Sequence, residues 1–268
     1  MKTAIIIPAR WGSTRFPGKP LVKIGGVPML QRVVEIGKAS AANFDDTIVM
    51  VATEDVRIQE FCAQINVPCA MTPNDCPTGS DRVLAALKAE NIEADFVFGL
   101  QGDAPFTPLD AIAKMIEFVR AAPKTEVITP IVRLRWDELV ALRQSKTQTP
   151  FSGTTAIIND AGKAIWFSKN IIPAIRKEDQ LCTKSEFSPV YQHLGLYGFR
   201  RDILETFVAL PQGHYETLEG LEQLRLLENG ISIQTITLSI AAGLAQAGID
   251  SPEDVSRAEK ILNGTQSI

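Results

Sequence analysis

Arg10, Arg15 and Lys19 fall within ten residues of one another, interleaved with Gly12, Gly18 and the pair Ser13-Thr14. Glycines and small hydroxyl residues let successive backbone N–H groups turn toward one point, and the cations neutralise what sits there. The stretch therefore reads as an anion loop of phosphate size. It is neither of the two common phosphate loops. Between Gly12 and Gly18-Lys19 there are five residues where a P-loop has four, and Pro20 stands where that loop needs Ser or Thr for Mg²⁺. The glycine spacing also fails the G-x-G-x-x-G pattern that brings backbone against a pyrophosphate.

A carboxylate follows later, in Gln101-Gly102-Asp103-Ala104-Pro105, after an apolar run. An acid that ends a buried strand forms a turn or holds a metal. Beside a triphosphate-sized cationic loop the metal role is favoured, since a hard cation takes carboxylate and phosphate oxygens together. His193 and Tyr197 alternate onto one side of a predicted strand. Glu219, Glu222 and Gln223 sit three and four apart on a predicted helix, where a solvated face is the plain alternative. Asp250 precedes Ser251-Pro252-Glu253-Asp254, a capping box with proline in the first turn, and complements the dipole of the helix it opens.

The elements that must place these groups alternate. Ala4–Ile7, Thr47–Ala52, Val67–Met71 and Phe96–Leu100 read as buried strands, with helices over 28–39, 55–65, 83–90 and 108–120. Such alternation gives parallel strands with right-handed crossovers and puts ligands at their carboxyl ends, where the cationic loop already lies. Further on, the pattern predicts a strand over 126–134 and a helix over 136–144. A hairpin of 154–159 with 163–168 turns across Asp160-Ala161-Gly162. A polar, period-less stretch over 169–189 reads as a mobile loop. A strand over 192–200, helices over 202–210 and 216–228, a strand over 232–238 and a last helix to about 262 complete the chain. Thr78 or Ser80 caps the helix after the turn-rich stretch 72–82.

Bulk composition narrows the class. With 268 residues, 45% hydrophobic and 22% charged, the expectation is one large α/β domain. A net charge of −4 argues against a general nucleic-acid binder. The apolar run after Lys2 stops at Pro8-Ala9-Arg10, too short for a signal peptide, and no later run is long enough to span a bilayer. Cys62, Cys69, Cys76 and Cys182 make no C-x-x-C and have two histidines in the chain to join them. They read as reduced thiols of a cytoplasmic protein.

Pro8-Ala9-Arg10-x-x-Ser13-Thr14-Arg15-Phe16-Pro17-Gly18-Lys19-Pro20-Leu21 resembles the signature loop of sugar nucleotidyltransferases, and most of all that of the 3-deoxy-manno-octulosonate (Kdo) cytidylyltransferases. Gln101-Gly102-Asp103-x-Pro105, Gln192-His193-Leu194-Gly195-Leu196-Tyr197, Leu221-Glu222-Gln223-Leu224-Arg225 and Gly248-Ile249-Asp250-Ser251-Pro252-Glu253-Asp254 match as well, so the resemblance runs over nearly the whole chain. It implies a nucleotide-diphospho-sugar transferase-like α/β fold, a predominantly parallel sheet flanked by helices. The implied partners are CTP and an acidic ulosonic sugar, the cofactor Mg²⁺, the product a CMP-sugar for lipopolysaccharide or a related surface glycan, and the assembly a homodimer with its sugar-side and dimerisation elements within 150–230.

Residue by residue, the resemblance gives the nucleotide to Pro8, Ala9, Arg10, Ser13, Arg15, Lys19, Thr72, Thr78, Gly79, Ser80 and Gln101. Arg10, Lys19 and Asp103 act on the reacting phosphate, and Asp103 and Asp250 share the metal. Gln101, Lys169, His193, Tyr197, Glu222 and Gln223 contact the sugar. The chain departs from the family pattern at Thr78-Gly79-Ser80-Asp81-Arg82, where relatives carry a Ser-Gly-Thr-Glu-Arg type motif. It departs again at Lys169, Thr155 and Gln192, where relatives carry Arg, Lys and Arg. These last three soften the cationic character of the sugar side. Two rival readings stand beside Kdo activation: the same chemistry on 8-amino-Kdo or a sialic-type acid, and a non-catalytic nucleotide-binding module.

Overall fold

Aliphatic runs with no polar face can only be satisfied between two helical layers, and the first half of the chain is built that way. The computed structural model describes residues 1–12, 16–240, 248–249 and 251–265, the last three without their side chains. In chain order the strands and helices begin with β1 (Thr3–Pro8), a 3-10 turn (Lys19–Leu21) and the ribbon β2 (Lys23–Ile24) and β3 (Val27–Pro28). There follow α1 (Met29–Ala41), β4 (Thr47–Thr53), α2 (Val56–Gln64), β5 (Cys69–Met71), α3 (Gly79–Ala89), β6 (Phe96–Gly99) and α4 (Ala111–Ala121). The second half holds β7 (Val127–Arg135), α5 (Trp136–Gln148), β8 (Thr154–Ile158), β9 (Ala164–Ser168), α6 (Glu178–Leu181), β10 (Phe187–His193) and β11 (Tyr197–Arg200). It closes with α7 (Arg201–Ala209), α8 (His214–Glu219), α9 (Gln223–Glu228), β12 (Ile233–Thr237) and α10 (Pro252–Thr265). The chain packs as two compact units.

The first unit comprises residues 1–117, 200–208 and the described residues from 248 onward. Its strands run in the order β5-β4-β1-β6, all parallel, with Ile5 level with Val49 on one side and Phe98 on the other. All six residues of β1 are buried, as the apolar run requires. A further cluster of Ile24, Met29, Ile249 and Ala258 gathers Phe16, Phe106, Val255 and Leu262 around it. One apolar contact set thus anchors the end of the cationic loop, the segment after Asp103 and the start of α10.

The second unit comprises residues 118–199 and 209–240. Here β7 is central: β10 and β11 pair with it antiparallel, β12 parallel, and β10-β8-β9 continue antiparallel to the edge. The expected hairpin is β8–β9. Leu134, Leu139, Leu142 and Val190 fasten α5 to this sheet. Among the described residues no helix is long and apolar enough to cross a membrane, and Cys62, Cys69, Cys76 and Cys182 are free thiols.

Three expected elements are drawn differently. The helix over 216–228 is two helices, because Gly220 takes a left-handed φ of 62° and its N–H closes α8 on the Glu216 carbonyl at 2.8 Å. Glu219 therefore ends one helix while Glu222 caps the next and Gln223 begins it, so helical i,i+3 spacing does not relate them. The strand over 192–200 breaks at Leu194-Gly195-Leu196, where Leu194 N–H donates to the Pro130 carbonyl at 3.1 Å and Leu196 N–H to the Leu194 carbonyl at 2.7 Å. His193 and Tyr197 thus belong to different strands. In the stretch 169–189, α6 forms and β10 begins at Phe187; Arg143 on α5 donates to both Glu178 oxygens at 2.6 and 2.7 Å.

Candidate active site

Parallel strands deliver their carboxyl ends to one edge, and in the first unit a cavity opens there. Its walls are Pro8, Ala9 and Arg10 after β1, Lys19 and Pro20 from the 3-10 turn, Cys76 to Gly79 and Arg82 around the start of α3, and Gln101, Gly102 and Asp103 after β6. Gly102 makes this convergence possible. A Cβ there would lie 2.7 Å from the Pro8 carbonyl oxygen, so only glycine lets the end of β6 come against the end of β1. The Lys19 ammonium, whose side chain is 12% exposed, sits 2.7 Å from an oxygen of Asp103, whose side chain is 39% exposed. A cation and an acid are thus held together on the wall, the acid still open to solvent. The Ile249 N–H donates to the Asp103 backbone carbonyl at 3.1 Å, tying the start of the last helix to the same loop.

Thr78 caps α3: its hydroxyl donates to Asp81 at 2.6 Å and accepts the Asp81 N–H at 3.3 Å. The shortened acid of the Thr-Gly-Ser-Asp-Arg stretch therefore completes a capping box, which starts the helix at Gly79, four residues before the apolar periodicity. The N-terminus of α3 borders the cavity beside Gly79, where the helix dipole favours anions.

Of the residues expected at the nucleotide, the cavity gathers Pro8, Ala9, Arg10, Lys19, Thr78, Gly79 and Gln101, and with them Asp103, expected at the reacting phosphate and the metal. Thr72 and Ser80 do not line it; both are buried, and Thr72 accepts the Arg82 guanidinium at 2.6 Å. Ser13, Arg15 and Asp250 lie outside the described residues. The sequence reading missed the brace behind the cavity. Arg82 pairs with Glu54 at 2.9 Å with side chains only 4% and 10% exposed, and the other Glu54 oxygen accepts the Trp11 N–H at 2.9 Å. The Arg57 guanidinium stacks 3.6 Å from the centre of the Trp11 ring. A signal was present: Arg82 falls one turn before Ala86 on the buried face of an apolar helix, where a cation needs a buried partner.

The second unit carries a separate polar cluster. His193 is buried: its Nε2 lies 2.8 Å from the Thr129 hydroxyl, and its ring packs 5.0 Å from Phe167 and 5.3 Å from Tyr197. The Thr129 hydroxyl spends its one hydrogen on the Leu196 carbonyl at 2.8 Å, so the histidine Nε2 donates to it and Nδ1 is left as acceptor. Burial, and secondarily the charge of Lys169, lowers the His193 pKa to about 3. Burial pushes the Tyr197 hydroxyl well above its usual value, with the Glu222 charge adding to it. Lys169 is half-buried, and burial lowers its pKa while Glu219 opposes the shift. Glu219 accepts the Ser168 hydroxyl and the Lys169 N–H, each at 2.8 Å. Gln223 is 3% exposed, and among the described residues its side-chain nitrogen is a buried donor with no partner. Such an orphan points to a ligand acceptor. The softened positions are also structural: the Thr155 hydroxyl donates to the Asn170 carbonyl at 2.7 Å and accepts the Ile172 N–H at 3.1 Å.

A pH effect follows from His193. Its pKa is near 6.5 in the unfolded chain and about 3 in the folded one, so between those values the unfolded state binds the extra proton. The histidine contribution to stability is intact above pH 6.5 and shrinks as pH falls toward 3. His193→Gln should flatten that acid limb, measured as the urea midpoint against pH; a wild-type slope in the variant would assign the limb to other groups.

Comparison with known proteins places this geometry. The cytidylyltransferase family profile matches residues 4–233. The 3-deoxy-manno-octulosonate cytidylyltransferase of Maricaulis maris is 44% identical over 262 residues, covering 98% of this chain and 97% of that protein. Its namesake from Bdellovibrio bacteriovorus is 34% identical, with 98% of each chain covered. The solved structure of a CMP:2-keto-3-deoxy-manno-octonic acid synthetase complexed with CTP superposes with a TM-score of 0.82 at 31% identity, covering 99% of this chain and 100% of the other.

Proposed function

The chain belongs to the cytidylyltransferase family, and from that membership we propose its reaction: the anomeric hydroxyl of Kdo attacks the α-phosphate of CTP, giving CMP-Kdo and pyrophosphate. The observation that carries the reading is the cavity at the carboxyl edge of the first unit, where Arg10, Lys19, Gln101 and Asp103 converge with the start of α3. As the bond from the sugar oxygen to the α-phosphorus forms, the bond to pyrophosphate breaks and the hydroxyl proton leaves to solvent. Arg10 and Lys19 neutralise charge that builds on the phosphates. The family resemblance assigns Arg15, which lies outside the described residues, to the nucleotide as well.

Asp103 fits a hard divalent cation, being a solvent-open carboxylate on the cavity wall. Asp250 is the proposed second ligand, supported by the Ile249–Asp103 backbone hydrogen bond one residue before it. Bound Mg²⁺ supplies charge neutralisation at the phosphates and acidifies the sugar hydroxyl. On the sugar side, Lys169 offers a cation for the carboxylate and the orphan amide of Gln223 a donor for a hydroxyl oxygen. Neutral His193 and un-ionised Tyr197 offer polar, uncharged contacts, and Glu222 accepts from sugar hydroxyls.

A CTP-consuming enzyme of this kind works in the cytoplasm and feeds lipopolysaccharide or a related surface glycan. A homodimer completes the reading, supported by the exposed apolar side chains Phe151, Ile165 and Leu218 of the second unit, which a second copy would cover. The test is a pyrophosphate-release assay over a panel of nucleotides and acidic sugars. Release is expected only with CTP, Kdo and Mg²⁺ together. Faster release with 8-amino-Kdo or a sialic-type acid would reassign the sugar. CTP binding without release on any sugar would leave a non-catalytic module, and undiminished turnover in excess EDTA would remove the metal.

A further inference from the structure

Lys146, near the end of α5, points its ammonium into a cage of backbone carbonyls: Pro150 at 3.3 Å, Ser152 at 2.5 Å, Gly153 at 3.1 Å and Lys169 at 2.5 Å. An ammonium has three hydrogens, so four acceptors exhaust it and leave nothing to donate to a ligand. The arrangement acts on Lys169 instead. The Lys169 carbonyl is held by Lys146 from α5, and its N–H is held by Glu219 from α8 at 2.8 Å. Both peptide groups of one residue are thus fixed by charged side chains on two helices, which sets where its half-buried side chain starts.

The local charge is also unbalanced. Glu219 is the acid that faces both lysines, and its two oxygens already accept the Ser168 hydroxyl and the Lys169 N–H. Two ammonium groups therefore share one carboxylate. Burial opposes the charge of each, and Lys169 further opposes that of Lys146. His193, which the Lys169 charge also reaches, stays neutral at working pH. A desolvated spot with one positive charge in excess is a receptor for a carboxylate.

We infer that Lys146 is a positioning residue for recognition of the acidic sugar: with Glu219 it fixes the Lys169 backbone so that the Lys169 ammonium meets the sugar carboxylate, and it adds a second positive charge there without touching the sugar. The inference rests on Lys169 being the carboxylate contact in the proposed reaction. In the sequence Lys146 falls one turn after Leu142 and two turns after Leu139, on the buried side of α5, which hints at its placement but not at its partners.

Steady-state kinetics on the full chain test it, with Lys146→Gln, Lys146→Arg and Lys169→Met alongside wild type. Lys146→Gln should raise the KM for Kdo about ten- to a hundredfold, roughly the range for a hydrogen bond to a charged group, and leave the KM for CTP within about twofold. Losing a like-charged neighbour raises the Lys169 pKa, so the alkaline limb of kcat/KM for Kdo should move to higher pH in Lys146→Gln. It should stay in place in Lys146→Arg, which keeps the charge even if the longer head group fits the cage poorly. A parallel rise in both KM values with an unmoved limb and a lowered Tm would make Lys146 a structural brace and overturn the inference, as would an unchanged KM for Kdo. Lys169→Met separates the premises: a wild-type KM for Kdo in that variant defeats the carboxylate assignment and the inference with it. Failure of the proposed reaction itself would show earlier, as wild-type protein releasing no pyrophosphate with Kdo.

Discussion

Asp103→Asn should lower kcat for CMP-Kdo formation by about 10²- to 10³-fold, the range for removing one preorganised charge-stabilising group from a transition state. The substitution is isosteric, so it isolates charge. The Asn carbonyl still accepts a hydrogen bond from Lys19, which sits 2.7 Å away, but a neutral amide is a far poorer ligand for Mg²⁺ than a carboxylate. Stability should hardly change. With the acid 39% exposed, its pair with Lys19 is of the partly solvated kind, worth about 0–1 kcal/mol. Single-turnover pyrophosphate release at saturating CTP and Kdo, together with a thermal melt, gives both readouts. A kcat within about threefold of wild type would take Asp103 out of the reaction and leave it as a turn former.

The largest effect on stability is expected from Arg82→Met. The guanidinium and Glu54 are both nearly enclosed, at 4% and 10% side-chain exposure, and the same Arg82 nitrogen also donates to the Thr72 hydroxyl at 2.6 Å and the Pro73 carbonyl at 3.4 Å. Taking away the cation strands a buried carboxylate, a loss of about 3–5 kcal/mol, which at this chain length is roughly 10 °C in Tm. Removing the charge on both sides should be milder. Glu54→Gln combined with Arg82→Met is expected to recover part of the loss, because the penalty comes from the unpaired charge more than from the missing attraction. Glu54 also holds the Trp11 N–H and Arg82 the Thr72–Pro73 backbone, so the KM for CTP should rise in both variants. A single variant that melts within about 2 °C of wild type would contradict the buried-pair account.

Much of the first unit is legible in the sequence. A strand such as Ala4–Ile7 with no polar face has to lie between helical layers, and a cationic, glycine-containing loop after it has to lie at the carboxyl edge. Asp103 was found by the same logic, as the acid that ends another buried strand. These inferences succeed because they depend on groups close in sequence, where covalent geometry and burial leave few alternatives. The second unit was less legible. Gly220 reads equally as a tolerated glycine inside a helix or as a stop, and only the packed structure selects the left-handed turn that separates Glu219 from Glu222 and Gln223.

By itself, then, the chain's order of residues determined the parallel α/β core, the cationic loop of Arg10 and Lys19, the acid at Asp103 after a buried strand, and a cap at Thr78 or Ser80, between which the packed structure takes Thr78. Each follows from a local run whose period, polarity or capping chemistry admits few conformations. Tertiary structure alone decided which distant charges meet. The Lys19–Asp103 pair spans 84 residues, the Lys146–Lys169 contact 23 and the Ser168–Glu219 contact 51. Thr72 and Ser80 withdrew from the cavity, and His193 became a neutral, enclosed imidazole, for the same reason. A side chain's ionisation and reach are set by the desolvation and partners that surround it after packing, and neither is encoded in the residues next to it along the chain.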